Sequence, residues 1–251
     1  MNRDEEWLLR EKYNGEKTEG FFADCARLAS HEPLAYIIGE IPFLHSTIYL
    51  DSHPLIPRAE TEFWVEKMIQ KINLDRNLAS VKVLDLCAGS GCIGVAVLQE
   101  ILDSHVDFCE IDTKHHATIQ KNIVKNNIDP SRTNIFGGDL FEQVTSLYDY
   151  IFSNPPYIDP VLDRTTVSVQ KFEPSLALYG GKEGTDLIFK IIEQAPRFLT
   201  HRGVLVIEHE PEQKDAIHAH TKPHGFVCET LPDQYGLDRY TYCSLAQSIV
   251  S

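Results

Sequence analysis

The sequence predicts an α/β protein with a doubly wound, mostly parallel sheet of seven strands, and three observations carry that prediction. From about residue 80 onward, short β-rich runs alternate with longer helical runs, the pattern of a sheet covered by helices on both faces. The first of these runs, Val83-Leu84-Asp85-Leu86, passes into the turn Cys87-Ala88-Gly89-Ser90-Gly91 and then into a helical segment. The length, 251 residues, suits one such domain with a small appendage, since domains run about 100–200 residues.

The elements follow in order. Residues 1–30 read as two short helices, one carrying Trp7, Leu8 and Leu9, the other Phe21, Phe22, Cys25 and Leu28, punctuated by Gly15 and Gly20. Residues 36–39 and 47–50 read as two strands of a hairpin that turns around Pro42. A helix is expected after Pro57, carrying Phe63, Trp64, Val65, Met68, Ile69 and Ile72. Strands are then expected at 81–86, 106–110, 133–136, 148–153, 203–208, 226–230 and 240–244, with helices near 92–103, 114–127, 184–199 and 211–220. In the third of these helices Leu187, Ile188, Ile191, Ile192, Ala195 and Leu199 share one face, and Pro196 is expected to bend it.

Composition narrows the class. With 43% hydrophobic and 24% charged residues, the chain is a folding one and not a disordered one. Its net charge of −14 opposes electrostatic capture of a nucleic-acid backbone, which leaves only a locally basic groove for such a role. The six cysteines, Cys25, Cys87, Cys92, Cys109, Cys228 and Cys243, are scattered without a C-x-x-C pair. They are expected to be buried thiols in a reducing compartment. The first residues are charged, and no apolar run approaches about 18 residues, so a soluble, cytoplasmic protein is expected with no membrane contact.

Four places along the sheet carry chemistry. Gly89, Gly91 and Gly94 after the first strand permit a tight turn and close ligand approach, and the following helix offers free N–H groups. A dinucleotide, S-adenosylmethionine or a purely structural turn all fit there. The acid that ends the next strand, 25 residues after Asp85, is placed to accept from both hydroxyls of a ribose. Glu110 and Asp112 compete for that role, Glu110 standing at the carboxyl end of the strand, where open sheets bind ligands. After the third strand, Asp139 is placed to accept from an adenine amino group and Leu140 to pack on its ring. The fourth place, Asn154-Pro155-Pro156-Tyr157, decides the reading. Two prolines fix the backbone and delay any helix, so the Asn154 side-chain oxygen and the Pro155 carbonyl stand as two acceptors for one planar NH2 group. Tyr157 supplies an aromatic face against the flat group that carries that nitrogen. No metal site is expected: His115-His116 and His218-x-His220 diverge on a helix and have no carboxylate or thiol at matching spacing.

These motifs resemble S-adenosylmethionine-dependent methyltransferases that act on amino groups. DNA adenine-N6 enzymes share the Asn-Pro-Pro-Tyr tetrapeptide, but other segments separate the two. Glu32-Pro33-Leu34-Ala35-Tyr36-Ile37-Ile38-Gly39, Leu55-Ile56-Pro57-Arg58-Ala59-Glu60-Thr61-Glu62 and Phe172-Glu173-Pro174-Ser175-Leu176-Ala177-Leu178 resemble signatures of the HemK/PrmC family. Gly180-Gly181-Lys182-Glu183-Gly184, Glu208 with Gln213, and Gly236-Leu237-Asp238-Arg239 extend that resemblance from about residue 31 to 245. The resemblance implies a protein-(glutamine-N5) methyltransferase that uses S-adenosylmethionine to modify the glutamine of the Gly-Gly-Gln motif in peptide chain release factors. It implies a cofactor on Cys87, Ala88, Gly89, Ser90 and Gly91. It selects Glu110 over Asp112 through the spacing to Asn122, sets Leu140 beside the adenine, and has Asn154 touch both cofactor and substrate, with Asn154, Pro155, Pro156 and Tyr157 carrying the substrate amide.

The implied organisation is a helical substrate-docking segment at 1–30, a hairpin linker at 31–57 and the S-adenosylmethionine-dependent domain at 58–251. The sequence departs from the family at Cys87-Ala88, where Gly-Thr is usual, at Glu110, where Asp is commoner, and in a front helical segment shorter than in bacterial members. A nucleic-acid adenine methyltransferase and a non-catalytic relative that binds a protein partner are the alternative readings. The acidity weighs against the first, and the intact tetrapeptide against the second.

Overall fold

The computed structural model describes residues 1–74 and 80–246. Its front is helical. α1 (Arg3–Glu11) starts at a capping box in which Asn2 accepts from the Glu5 N–H and Glu5 accepts in return from the Asn2 N–H. α2 (Glu19–Ala29) is capped by Thr18. Leu8, Phe21 and Ile37 form a small core between them, braced by Asp24, which accepts from Lys12, Tyr13 and Arg27.

The hairpin differs from the sequence reading. Residues 34–38 form a third helix, α3 (Leu34–Ile38), ended by Gly39 at φ +96°. Pro33 at the helix N-cap makes this a natural starting point, and the apolar Tyr36 and Ile37 are buried by a helical turn instead of a strand. The hairpin is β1 (Glu40–Phe43) with β2 (Ser46–Tyr49). Pro42 therefore sits inside β1, which is tolerated in a two-stranded edge, and the reversal falls at Leu44 and His45.

The main unit follows as α4 (Ala59–Leu74), β3 (Val81–Leu86), α5 (Cys92–Glu100), β4 (Ser104–Cys109), α6 (His116–Lys125), β5 (Thr133–Phe136), β6 (Tyr148–Ser153), α7 (Val167–Phe172), α8 (Asp186–Gln194), β7 (Leu199–Glu208), α9 (Lys214–Thr221), β8 (Phe226–Pro232) and β9 (Asp238–Leu245). The expected helix at 184–199 is shorter. α8 gives way to a 3₁₀ turn holding Pro196, whose ring ends the helix, and the chain enters β7 at once. α7 has no counterpart in the sequence reading; Thr166 caps it, accepting from the Val169 N–H.

The seven strands lie in the order β5-β4-β3-β6-β7-β9-β8. Neighbouring pairs from β5 to β7 are parallel, whereas β9 runs antiparallel to both β7 and β8. Strand alternation divides the core. Val83, Phe152 and Val206 pack with α4 and α5 on one face, and Leu84, Ile151 and Leu205 pack with α8 and α9 on the other. Across the last hairpin, Cys228 and Cys243 face each other and are bonded as a disulfide. This corrects the expectation that all six cysteines are thiols: residues 15 apart in sequence meet because antiparallel pairing brings them opposite. Strand order reverses between β3 and β6, so a crevice opens beyond their carboxyl ends.

Candidate active site

The crevice begins with the turn after β3. Gly91 caps α5 with a left-handed φ of +76°, and at Gly94 an added Cβ would collide with the Phe108 ring, so this helix lies hard against the sheet. Asp85 ends up wholly buried, its Oδ2 accepting from the Gly94 N–H at 2.9 Å. Burial pushes its carboxyl up to about 8, with Glu110 adding to the rise and the Gly94 bond opposing it. Cys87 adopts φ +63°, the left-handed region that an L side chain enters at a cost of about 1–2 kcal/mol. The position at which this sequence departs from the family's glycine is thus one where glycine would relax the backbone. Burial pushes the Cys87 thiol up.

Glu110 stands at the mouth of β4, buried, with Oε2 accepting from the Gly89 N–H and Oε1 from the Asp112 N–H, both at 2.8 Å. Burial raises its carboxyl pKa against the pull of those two bonds. Each oxygen keeps a second lone pair for a ligand hydroxyl. Asp112 instead caps the next turn and pairs with Lys114. Asn122 is wholly buried and links the glycine turn to the hairpin: it donates to the Ser90 carbonyl at 2.9 Å and accepts from the Tyr49 N–H at 2.7 Å. Leu140 is buried, its carbonyl accepting from the Cys109 thiol. Asp139 is exposed beside it.

At the end of β6, Asn154 donates through Nδ2 to Thr61 Oγ1 at 3.0 Å, while its Oδ1 is buried without a partner. Pro155 is buried, and among the described residues nothing donates to its carbonyl, whereas the Tyr157 carbonyl accepts from Gln213 at 2.7 Å. The Tyr157 hydroxyl donates to Glu208 Oε1 at 2.9 Å. Glu208 is wholly buried and also accepts from Thr61 and from the Trp64 indole at Oε2. Burial raises the Glu208 pKa, and the three donors oppose the rise.

Two cavities meet at Asn154. The first is lined by Cys87, Gly89, Glu110, Asp139, Leu140 and Asn154 among others. The second is lined by Asn154, Pro155 and Tyr157 together with Arg58, Arg164, Glu210 and Arg239. The first cavity therefore gathers most of the residues the sequence singled out for a cofactor, and the second gathers Asn154, Pro155 and Tyr157 of the tetrapeptide, while Pro156 lines the first. The set of groups lining the first suits a nucleoside: an acid with free lone pairs at Glu110, and an apolar wall at Leu140.

Sequence reasoning missed several residues here. His115 lines the first cavity, bonded through Nδ1 to Ser52, and burial lowers its pKa to about 4, so it faces the cleft as a neutral ring. Glu173 ties Ile56 and Arg58 to the segment before the 3₁₀ turn at Ser175–Ala177. Thr61, Glu208 and Gln213 lay in family-like segments, yet no local spacing gave them a role, because the partners that tie them to the tetrapeptide are more than 50 residues away in sequence. Local spacing also hid a group of three side chains that could hold a metal ion. Glu193 of α8 supplies the carboxylate that His220 lacks locally, and with His224 the three bring ligand atoms within 4.8 Å of one another. None of the three lines either cavity.

The methyltransferase small domain (MTS) family pattern matches residues 61–173. The chain is 32% identical over 233 residues to a release factor glutamine methyltransferase of Bifidobacterium longum, covering 88% of this chain and 79% of that protein. It is 30% identical to a bifunctional methyltransferase of Rickettsia conorii, matched over 92% of this chain, and it spans about half, 49%, of that longer protein. Among solved structures, a methyltransferase from Pyrococcus furiosus superposes with a TM-score of 0.60 at 17% identity, covering 90% of this chain and 99% of that one, which speaks for the fold. No helix among the described residues is long and apolar enough to cross a membrane. By these matches the chain belongs to the HemK/PrmC release factor glutamine methyltransferases, a family of S-adenosylmethionine-dependent methyltransferases.

Proposed function

We propose that this protein transfers a methyl group from S-adenosylmethionine to the side-chain amide nitrogen of the glutamine in the Gly-Gly-Gln motif of peptide chain release factors. The observation that carries this reading is the buried, unpartnered Oδ1 of Asn154 at the meeting point of the two cavities. A buried acceptor without a donor costs about 1–3 kcal/mol, and it is accounted for if an N–H of the substrate completes it.

The cofactor would be held by Cys87, Ala88, Gly89, Ser90, Gly91, Glu110, Asp139, Leu140 and Asn154, and when bound it supplies an electrophilic sulfonium methyl. The chain's own residues do the rest by positioning and electrostatics. An amide lone pair is delocalised into its carbonyl and attacks carbon poorly. Asn154 Oδ1 and the Pro155 carbonyl hold the two amide hydrogens, which turns the nitrogen lone pair toward the methyl and offsets the positive charge that grows on nitrogen. Pro156 keeps the backbone from entering a helix, and Tyr157 gives the planar amide a face to lie on. The extra proton leaves after transfer.

Residues 1–30 are assigned to substrate docking, 31–57 to a hairpin linker and 58–251 to the transferase domain, and a release-factor substrate places the reaction in the cytoplasm. Methyl transfer to a release factor, followed by mass spectrometry of the Gly-Gly-Gln peptide, tests the assignment. Methylation is expected on the glutamine nitrogen, and a Gln→Glu substrate is expected to be inert, because its carboxylate would meet two acceptor oxygens with no N–H to offer. Methylation of DNA adenine with the release factor untouched would overturn the assignment.

A further inference from the structure

We propose that Thr61, held by Glu208, is the positioning residue that decides which end of the Asn154 amide faces the reacting nitrogen. The proposal deepens the two-acceptor reading above and rests on it. An asparagine amide has an acceptor end and a donor end of nearly the same shape, and a half turn about χ2 exchanges them. Only one orientation accepts a hydrogen from the substrate amide. The other sets N–H against N–H, and the second acceptor, the Pro155 carbonyl, cannot compensate for it alone.

The hydrogen-bond chain leading away from Asn154 makes the choice. Thr61 Oγ1 lies 3.0 Å from Asn154 Nδ2 and 2.7 Å from Glu208 Oε2. Glu208 Oε2 also lies 2.7 Å from Trp64 Nε1. The indole is a donor only, so Oε2 faces it as an acceptor, and the same oxygen draws the hydroxyl hydrogen of Thr61. A threonine hydroxyl has one hydrogen. Once that hydrogen points at Glu208, the Thr61 oxygen can only accept, and the Nδ2 end of Asn154 is the end that suits it. Oδ1 is thereby turned away from Thr61, and it is the atom left buried without a partner. Thr61 is 1% exposed and Glu208 is fully buried, so water does not compete to reverse the direction. Glu208 Oε1 meanwhile accepts from the Tyr157 hydroxyl, and one carboxylate fixes both the amide and the ring of the tetrapeptide. Thr61 lines neither cavity, so it acts by orienting Asn154 and not by touching substrate or cofactor.

The test compares Thr61→Val, which replaces the hydroxyl by a methyl of similar shape, with Thr61→Ser, which keeps it. Thr61→Val is expected to lower kcat about 10- to 100-fold, the effect of one misdirected hydrogen bond. The release-factor KM and the cofactor Kd are expected to stay within about twofold, because neither binding surface changes. Thr61→Ser is expected to restore most of the rate. The second readout needs no substrate: the side-chain amide of Asn154 in ¹⁵N NMR, assigned by its loss in Asn154→Asp, is expected to shift and exchange faster in Thr61→Val but not in Thr61→Ser.

A Thr61→Val enzyme as fast as the wild type, a Thr61→Ser enzyme as slow as Thr61→Val, or an unmoved Asn154 amide signal would each overturn the proposal. If Thr61→Val does not fold, Thr61→Ala decides: it too leaves the Asn154 Nδ2 end without its acceptor, so a lowered kcat and a moved amide signal are expected, and a full rate with an unmoved signal would overturn the proposal. Failure of the wild type to methylate any release factor would bring down the proposed substrate, while the amide signal still judges the orientation.

Discussion

The two cavities that meet at Asn154 are built in different ways. The cofactor side takes its residues from the turns directly after β3, β4, β5 and β6, and holds them through backbone N–H groups: Gly94 to Asp85, Gly89 and Asp112 to Glu110. The substrate side gathers residues from segments remote in sequence and holds them through side-chain charge. Arg58 is set by Glu173 at 2.6 Å, and Arg239 by Glu210 and Asp233 at 3.3 Å each. A site built from strand ends is prescribed by the sheet and suits any chemistry of the fold. A site built from remote charged pairs is not prescribed by the sheet, and on the proposed function it is the side that selects the substrate. Asn154 lines both cavities, with Leu55 and Ala177, and on the proposed function its side chain is where the two sides meet.

The largest expected effect lies at that junction. Asn154→Ala is expected to fold and retain cofactor binding, while turnover falls about 10²–10³-fold, as when one aimed hydrogen-bonding group is lost. Full activity would mean that the two sides do not meet at this side chain. Tyr157→Phe is expected to matter less, since the ring face is kept and only the bond to Glu208 is lost.

Next in size is a pH effect that samples both sides. Burial pushes His115, on the cofactor side, down to about 4, and does the same to His209, which follows Glu208 on the substrate side. Both folded values lie below the unfolded one near 6.5, so both rings are neutral in the folded protein near neutrality. Their contribution is whole above about pH 6.5 and is lost as pH falls toward 4, because the unfolded chain takes up protons that the folded one refuses. Between pH 7.5 and 5 that amounts to about 2 kcal/mol per histidine. Denaturant titrations at the two pH values are expected to show a smaller loss in His115→Asn and in His209→Asn than in the wild type. A loss that shrinks only in His209→Asn would sharpen the contrast, by showing that the cofactor cleft is wet enough for His115 to titrate normally.

The same contrast explains what the sequence revealed. The glycine turn, Glu110, Leu140 and Asn154 could be read because each stands within a few residues of a strand end, and strands announce themselves by local pattern. Thr61, Glu173 and Glu208 could not, because their roles come from partners more than 50 residues away. The hairpin was misplaced for a related reason: four apolar residues at 34–37 fit a short buried helix as well as a strand, and Gly39 at positive φ ended the helix unseen. The disulfide between Cys228 and Cys243 likewise depends on strand register and not on cysteine spacing.

Glu110→Ala should break the cofactor side alone. Removing a carboxylate that meets ligand hydroxyls is expected to cost about 1.5–3 kcal/mol of cofactor affinity, read by calorimetry, with little change in release-factor KM. Asp112→Asn is expected to leave affinity nearly unchanged, because Asp112 is engaged with its own turn and Lys114. Unchanged affinity in Glu110→Ala would move the ribose contact to Asp112.

The smallest expected effect tests whether the front helices serve the substrate side. Their link to the rest of the chain runs through α7 as well as the hairpin: Ser168 donates to the His31 carbonyl at 2.7 Å and Lys171 to the Ser30 carbonyl at 3.4 Å. Val169 of α7 and the residues before the helix, Thr165 and Thr166, line the second cavity and not the first. A disturbance at the front therefore reaches the substrate wall before it reaches the glycine turn. Deleting residues 1–17 removes α1 and leaves Thr18 to cap α2. Fewer anchors usually mean faster dissociation of a protein partner, so the release-factor KM is expected to rise several-fold, with cofactor Kd nearly unchanged. Steady-state kinetics on the truncated chain, with circular dichroism to verify its fold, reads both values. An unaltered KM would reduce the front to a structural brace. Loss of cofactor affinity would show that the two sides are coupled through α3 and the hairpin, where Asn122 joins the Tyr49 backbone to the Ser90 carbonyl, and the division between a general and a specific side would then fail.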